Sequence, residues 1–447
     1  MEANASIFFC VKICFCEKNT VNLWKLRFKM GQPVKQIIRN IHSDLITKER
    51  YTTLLVDGNS LLFNSFKDDK VNSDGIHYGA IFQFLLQLRI QIDKREFRHI
   101  FVTFDNEYSG ILRWQLYKPY KANRDKNYES YGTSEYMKQY NANLKEMQLA
   151  LFKKSKKKKI KTEWDKLIDE NFDRERDILL EIFNELYIRW DMDEVVEGDD
   201  LIAYYCKKKD PNENILIMSA DMDLAQLLDD DIMIYNQRLK KYITNKNFKD
   251  YFGYHYENTL IKKILCGDVS DNIGNIKGLS ENAFFNLMPE ARDKPIILSD
   301  VKNKCKSLIE ERIKLKKKPL QLYENILNGV SNKQYDGDFY DINQKIIDLK
   351  NPLLTKECEK EMGDMIHAPL DPEGRSISNL YKIIMDNKIE DLMGDTKFAS
   401  FFAPFKKIEI QEKKFYNANI EKNVVYLHCD FKNSILLILK NAISLTI

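Results

Sequence analysis

The chain of 447 residues lacks an apolar run long enough to cross a membrane. The stretch SIFFCVKICFC near the N-terminus is interrupted by Lys12, and SILLILKNAISLTI at the C-terminus is interrupted by Lys440. Both are shorter than the roughly 20 residues that a transmembrane helix needs. The first stretch also lacks the basic leader and the small-residue cleavage site of a secretory signal peptide. We therefore expect a cytoplasmic protein that does not associate with a membrane.

The sequence also lacks the cysteine pattern of a disulfide-rich domain. Its eight cysteines are scattered along the chain, at positions 10, 14, 16, 206, 266, 305, 358 and 429. The first three lie close together, but no Cys or His pair with zinc-finger spacing follows them. A reducing compartment fits this usage best, and we expect no metal site at the three N-terminal cysteines.

Charge is nearly balanced overall, with a formal net charge of +3, but it is unevenly distributed. Residues 113–161 hold 14 Lys/Arg against 4 Asp/Glu, a local charge of 14 − 4 = +10. Aromatic residues are interleaved with these basic ones: Trp114, Tyr117, Tyr120, Tyr128, Tyr131, Tyr136 and Tyr140. Basic and aromatic residues together offer phosphate contacts and stacking platforms for a nucleic-acid strand. For the run KKSKKKK at 153–159, a solvated loop and a polyanion contact both stay open.

Acidic residues show the most informative spacing in the chain. Nine of them stand at the ends of apolar runs or next to helical patterns: Asp57, Asp105, Glu197, Asp199, Asp200, Asp221, Asp223, Asp268 and Asp271. Two carboxylates brought within about 4 Å repel by about 4 kcal/mol at an effective dielectric constant of 20. Such a cluster is tolerable with bound cations, and hard divalent ions such as Mg²⁺ prefer oxygen ligands. Carboxylates that hold Mg²⁺ point to phosphodiester chemistry.

Apolar strand patterns alternate with helical patterns from Tyr51 onwards. TTLLVDGNS, RHIFVTFD, ILIMSAD and DIMIYNQ have the length and composition of buried strands, whereas GAIFQFLLQLRIQI has helical periodicity. This alternation predicts an α/β fold with a parallel, twisted sheet flanked by helices. In such sheets the functional crevice lies at the carboxyl ends of the strands, where Asp57, Asp105 and Asp221 are expected to meet.

Five stretches, in this order, resemble the 5′-nucleases, a family of flap endonucleases and phage 5′ to 3′ exonucleases. They are LLVDGNSLLFNS, FVTFDNEYSGILRWQLYKPYKANR, DEVVEGDDLIAYYCKK, ILIMSADMDLAQLL and ILCGDVSDNI, within residues 54–273. Each alone is a weak signal, but the ordered set is specific. The likeness is strongest to the RNases H of T-even bacteriophages, which implies the host cytoplasm if a phage encodes the chain.

The resemblance implies that all nine acids are metal ligands in one cluster of two or more Mg²⁺ ions, for which Mn²⁺ substitutes. It also implies that Lys121 and Arg124 contact the scissile phosphate and that they and Asp199 are catalytic. The nucleic-acid contacts that it implies are Arg113, Lys118, Tyr120, Lys121, Arg124, Gly274, Lys277 and Gly278. The loop DNIGNIKGLS has Asn275 and Ser280 where many members have glycine. This departure argues against the monovalent-cation site that other members form there.

The implied domain organisation has four parts. Residues 1–48 are an N-terminal extension outside the fold, and 49–255 are a PIN-like 5′-3′ exonuclease catalytic domain with a helical arch at about 113–166. Residues 256–405 are a helix-loop-helix duplex-binding region (H3TH-like) and C-terminal helices, and 406–447 are an appended tail.

The implied function is a metal-dependent, structure-selective 5′ to 3′ exonuclease or flap endonuclease with RNase H activity that removes RNA primers or 5′ flaps during DNA replication. We expect a monomer that acts on DNA and RNA/DNA duplexes with 5′ ends or flaps, beside a single-strand-binding protein, clamp or polymerase. One alternative is an inactive relative that grips branched nucleic acid and recruits replication proteins. A phosphatase with an aspartyl-phosphate intermediate is disfavoured, because Asn59 stands where that chemistry wants a second acid.

Overall fold

The computed structural model describes residues 50–122 and 163–419, together with the two-residue strands β1 (Cys16–Glu17) and β2 (Thr20–Val21). The chain divides into two compact units, Met1–Arg50 and Tyr51–Ile447. In the first unit, β1 and β2 pair antiparallel. Most of the predicted arch and all residues after 419 lie outside the described residues.

A six-stranded sheet forms the centre of the second unit. Its strands are β3 (Tyr51–Asp57), β4 (His99–Thr103), β5 (Arg189–Asp191), β6 (Glu213–Met218), β7 (Ile232–Asn236) and β8 (Lys241–Ile243). They lie in the order β5-β4-β3-β6-β7-β8, and all neighbours are parallel except β7 and β8. The predicted α/β fold with a mostly parallel sheet is confirmed.

Helices cover both faces of this sheet and extend beyond it. The first five are α1 (Gly58–Ser65), α2 (Gly79–Lys94), α3 (Ile111–Leu116), α4 (Glu163–Glu185) and α5 (Gly198–Lys208). The next five are α6 (Phe248–Phe252), α7 (Asn258–Cys266), α8 (Glu281–Leu287), α9 (Leu298–Lys314) and α10 (Gln321–Asn328). The last are α11 (Phe339–Ile347), α12 (Lys356–His367), α13 (Ile377–Asp386), α14 (Asp395–Phe402) and α15, which covers 406–419 of the described chain.

The two central strands are apolar on both faces, as a parallel strand covered by helices requires. Leu54, Leu55 and Val56 of β3 are fully buried, and their alternating side chains enter opposite cores. The register aligns Asp57 with Thr103 of β4, and Val56 with Met218 of β6. The residues that follow these three strands therefore emerge at the same edge of the sheet.

The C-terminal helices pack on the sheet and do not form a separate body. Phe402 and Ile408 share a buried core with β3, β4 and α2. Glu412 of α15 is fully buried, where it accepts hydrogen bonds from Arg189 of β5 at 2.8 and 2.9 Å and contacts the His99 ring of β4 at 2.7 Å. The sequence-based boundary at residue 406 was wrong in this respect, because α15 is an integral element of the fold. Among the described residues no helix is long and apolar enough to span a bilayer.

Candidate functional site

A cavity of about 660 Å³ opens at the carboxyl edge of the sheet. Eight of the nine acids singled out in the sequence line it: Asp57, Asp105, Glu197, Asp199, Asp221, Asp223, Asp268 and Asp271. They come from three strand ends, the start of α5 and the loop after α7, and span more than 200 positions of the chain. The fold therefore brings together acids that lie far apart in the sequence.

Asp57, Asp105, Asp199 and Asp221 form what we call the sheet group. Asp57 is the N-cap of α1, where it accepts from the Ser60 amide at 2.9 Å, and its second oxygen accepts from the Ser219 hydroxyl at 2.6 Å. Asp105 accepts from the Gly198 amide at 2.7 Å. These hydrogen bonds fix the direction of two carboxylates towards the cavity before any ligand arrives.

None of the four acids of the sheet group forms an ion pair within 50–122 and 163–419, although the charges of Lys263, Lys121 and Arg238 act on Asp221 from a greater distance. Burial, with the carboxylates of Asp221 and Asp105 adding to it, raises the pKa of Asp57 to about 7. Burial and the neighbouring acids also raise the pKa of Asp199 well above its ordinary value. Carboxyl groups that resist ionisation, as Asp57 and Asp199 do, gain most from a cation that neutralises their charge.

Asp223, Asp268 and Asp271 form a second set, the loop group. Each offers a carboxylate oxygen, and these oxygens lie within 4.8 Å of one another. Three hard oxygen donors at this separation fit a divalent cation such as Mg²⁺ or Mn²⁺. Unlike the sheet group, this set has a basic partner: the Nζ atom of Lys263 contacts Asp223 and lies 2.6 Å from Asp268. Although burial opposes it, Lys263 lowers the pKa of Asp268 to about 2.

Glu197 is likewise held by basic residues. Lys121 pairs with it, Arg113 Nη1 donates to it at 2.6 Å, and the Tyr120 hydroxyl donates at 3.0 Å. Although burial favours the protonated form, Lys121 and Arg113 hold the pKa of Glu197 well below its usual range. Lys121 has a left-handed backbone, with φ of 51°, and its amide donates to the Asp271 carbonyl at 2.9 Å. The predicted catalytic lysine is therefore held by Glu197 through its side chain and by Asp271 through its backbone.

Asp200 and Arg113 do not have the surroundings that the sequence predicted. Asp200 is fully buried outside the cavity lining, accepts two bonds from the Arg113 guanidinium, and accepts from the Leu353 amide at 3.0 Å. Arg113 is buried as well, and its Nε donates to the Ile346 carbonyl at 2.8 Å. Asp200 therefore lies away from the cavity that the other eight acids line, whereas Arg113 also lines the cavity. The predicted phosphate contact of Arg113 stays a prediction.

Tyr120 and Lys118, two other predicted nucleic-acid contacts, differ from each other in their surroundings. Tyr120 is 3% exposed, so its ring packs in the core and is not available for stacking on a base. The Lys118 Nζ lies 3.5 Å from the centre of the Trp114 ring, and burial lowers the pKa of Lys118 to about 8. Arg124 lies outside the described residues.

The loop after α7 shows a similar division. Gly274 is buried, its amide donates to the Tyr335 hydroxyl at 2.9 Å, and an added Cβ would lie 2.8 Å from the Ser331 hydroxyl. Gly274 therefore packs internally, contrary to the predicted contact. Lys277 and Gly278 are exposed, and Gly278 has a left-handed backbone with φ of 88° that favours glycine. These two positions keep the accessibility that a duplex contact needs.

Sequence reasoning missed several residues of the cavity region, and three of them bear on the site. Lys263 reaches the loop group, and Ser219 aims Asp57. Phe63, 41% exposed, lines the cavity and packs edge-on against Trp164 with ring centres 4.7 Å apart. The spacing of Lys263, one helical turn and a residue before Asp268, was a usable signal. Phe63 lies among apolar residues of α1 that resemble core residues, so no signal in the sequence indicated its place in the cavity.

Comparison with known proteins supports the interpretation that the site suggests. Residues 52–253 match the family model described as the 5′-3′ exonuclease, N-terminal resolvase-like domain. This part of the chain is therefore similar to the catalytic domain of the 5′-nucleases. This match spans the six-stranded sheet except Tyr51, and it includes all acids of the cavity except Asp268 and Asp271.

Individual members of the 5′-nuclease family are distant from this chain. The 5′-3′ exonuclease of Mycoplasmopsis pulmonis is 25% identical over 242 residues, which cover 53% of this chain and 65% of that protein. DNA polymerase I of Caldicellulosiruptor bescii is 25% identical over 317 residues, 69% of this chain and 31% of the polymerase. The chain thus spans less than two thirds of the length of these relatives. A T5 5′-exonuclease structure with bound zinc covers 75% of this chain at 17% identity, with a TM-score of 0.46.

Proposed function

We propose that the chain is a divalent-cation-dependent 5′-nuclease that hydrolyses phosphodiesters in the cavity at the carboxyl edge of the sheet. One observation carries the proposal: eight carboxylates and the lysine Lys121 line one open cavity in a chain whose residues 52–253 match the 5′-3′ exonuclease family model. Acids in this number repel one another unless cations join them, and the substrate that combines with Mg²⁺ and carboxylates is a phosphate ester.

The acids of the site and the backbone amides that orient them have different proposed roles. The sheet group and the loop group would each hold a cation, Mg²⁺ in the cell with Mn²⁺ able to substitute. A divalent cation in such a site supplies a deprotonated water near neutral pH and neutralises charge on the phosphate. The backbone amides of Ser60 and Gly198 keep Asp57 and Asp105 aimed into the cavity, so little reorganisation accompanies binding.

Lys121 is the proposed positive contact to the scissile phosphate. Its Nζ lies at the cavity wall on Glu197, and although burial opposes the charged form, Glu197 raises the pKa of Lys121 well above its ordinary value. The lysine is therefore charged at neutral pH and can stabilise the charge that builds on the phosphate in the transition state. Arg124, three residues further on, is proposed for the same work.

For the substrate, we propose 5′ ends and 5′ flaps of DNA and RNA/DNA duplexes, including RNA primers removed during replication. Exposed Lys277 and Gly278 would contact duplex phosphates, and the basic segment 113–161 would contact the single strand. The RNase H activity and a partner such as a single-strand-binding protein, clamp or polymerase belong to this proposal.

A cleavage assay tests the proposal. The protein is incubated with a 5′-labelled flap duplex and with an RNA-primed duplex of the same sequence, each with Mg²⁺ and with EDTA. We expect short 5′-phosphorylated products with Mg²⁺ only. Equal products in both lanes would contradict a cation-dependent nuclease. Salt-dependent binding without cleavage, in protein saturated with Mg²⁺ or Mn²⁺, would favour the inactive nucleic-acid-binding alternative.

A further inference from the structure

Lys263 lies inside the acid cluster. It belongs to α7, five residues before Asp268, and its side chain is only 11% exposed. Its Nζ atom contacts Asp223 Oδ2 and lies 2.6 Å from Asp268 Oδ2. One ammonium group thus bridges two of the three acids in the loop group.

Lys263 occupies the oxygen of Asp268 that is left for a ligand. Asp268 Oδ1 already accepts from the amides of Ser270 at 2.6 Å and Asp271 at 3.2 Å, whereas Oδ2 lies against Lys263. The Asp223 backbone is fixed as well, since its amide donates to Asp221 at 2.8 Å. The protein therefore holds both acids in place, and the same lysine contacts one oxygen of each, Asp223 Oδ2 and Asp268 Oδ2.

A divalent cation in the loop group would use these same oxygens. The ammonium and the cation carry charge of the same sign, and at contact distance they repel strongly in a partly buried site. In the sheet group, no ammonium or guanidinium group of the described residues is in contact with a carboxylate; Lys263, Lys121 and Arg238 act on Asp221 only from a greater distance. Binding a cation therefore costs more free energy in the loop group than in the sheet group.

We propose that Lys263 is a resident counter-ion of the loop group, which must leave Asp223 and Asp268 before a divalent cation binds there. Its presence sets a lower cation affinity for the loop group than for the sheet group, so that the two sites fill in order as the cation concentration rises. Lys263 acts here as a positioning and affinity-setting residue. The inference rests on the proposed cation sites of the cavity.

Calorimetric titration with Mn²⁺ alone, without nucleic acid, tests this directly. In the wild-type protein we expect a tighter and a weaker class of site. Lys263→Met should tighten the weaker class by about tenfold or more, because a competing charge at contact distance is gone. Lys262→Met is the matched control: it removes the same charge from the next residue of α7, where the Lys262 Nζ lies 3.3 Å from Glu281. The control should change the Mn²⁺ affinity by less than about twofold.

A second measurement uses the wild-type protein and so does not depend on the folding of a variant. Reductive methylation followed by mass spectrometry reports the accessibility of each lysine with and without Mg²⁺. We expect Mg²⁺ to raise the modification of Lys263 several-fold and to leave Lys262 unchanged. A gain of similar size at both lysines, or no gain at Lys263, would overturn the inference.

The inference and the proposed function fail in different ways. If the wild-type protein binds no Mn²⁺ at all, the proposed cation sites are wrong and the inference is wrong with them. If the wild-type protein binds Mn²⁺ and cleaves flap substrate, but Lys263→Met binds Mn²⁺ no more tightly than Lys262→Met, the inference alone is overturned.

Discussion

The sheet group and the loop group are built from the same side chain but behave in opposite ways. In the sheet group, burial and neighbouring acids raise the pKa of Asp57 to about 7. In the loop group, Lys263 lowers the pKa of Asp268 to about 2, against the effect of burial. The carboxylates of the sheet group form no ion pair among the described residues, whereas Lys263 pairs with two carboxylates of the loop group.

The difference shows that acid clustering alone does not describe such a site. Glu197 with Lys121 and Arg113, and Asp268 with Lys263, are compensated by the protein itself. Asp57 and Asp199 are not, so they need a cation from solution to ionise fully at neutral pH. We therefore expect loss of chemistry from substitutions in the sheet group, loss of stability when Arg113 is removed, and altered cation affinity when Lys263 is removed.

The largest effect is expected for Asp199→Asn in the sheet group. The amide cannot supply the negative charge that holds a cation, so the rate of flap cleavage under saturating substrate should fall at least about 10³-fold, while flap binding is largely kept. Single-turnover cleavage and a filter-binding assay measure the two quantities. Asp173→Asn on the exposed face of α4 makes the same chemical change and should leave both unaltered. A rate within about tenfold of the wild type for Asp199→Asn would contradict the role of the sheet group.

Arg113→Met should have the largest effect on stability. It leaves Glu197 and Asp200 buried without their shared guanidinium, which costs about 3–5 kcal/mol in the free energy of unfolding. Urea unfolding with and without Mg²⁺ measures this loss. Lys249→Met, which breaks the exposed pair with Asp293, should cost about 1 kcal/mol or less. Equal losses of unfolding free energy for the two variants would show that the buried contacts of Arg113 do not stabilise the site.

Lys121→Ala should slow the single-turnover rate about 10²-fold with little change in fold stability, because Arg113 and Tyr120 still hold Glu197. Lys345→Ala, on an exposed face of α11, is the control and should cleave at the wild-type rate. If the rate is unchanged while the melting temperature falls by many degrees, Lys121 serves the fold and not the phosphate.

The smallest effect is a pH-dependent stabilisation by Mg²⁺. The pKa of Asp57 is higher in the folded chain than its ordinary value of 3.8, so its protonated form favours folding and this stability is lost as the pH rises through about 7. Mg²⁺ should therefore raise the melting temperature by a few degrees more at pH about 8 than at pH about 5.5. Asp268 stays ionised across this range, so it contributes no such change. Asp57→Asn should flatten the pH dependence; an identical slope in that variant would assign the effect elsewhere.

Much of the architecture could be predicted because the signals are local. The apolar runs that end in Asp57 and Asp221, and the run followed by Asp105, are strands at the predicted positions, and their parallel order brings those acids together. The edge strands β5 and β8 escaped prediction because each has only three residues, too few to establish a period.

The partners of the acids could not be predicted, because they depend on tertiary contacts. Asp199 and Asp200 are adjacent on α5, about 100° apart around the helix, so one faces the cavity and the other the core. Sequence spacing treats them alike. The same holds for Arg113, whose partner Asp200 lies 87 positions away, and for Glu412, which meets Arg189 over 223 positions. No local pattern distinguishes such buried arginines from exposed ones.

The central claim, that the uncompensated sheet group takes up divalent cations, is tested most directly by diffraction at the manganese absorption edge from crystals soaked in Mn²⁺. We predict an anomalous peak bound by Asp57, Asp105 and Asp199 at a low Mn²⁺ concentration, with a second peak at the loop group appearing only at a higher one. Crystals of the wild-type protein that show no peak in the cavity at any Mn²⁺ concentration would contradict the account.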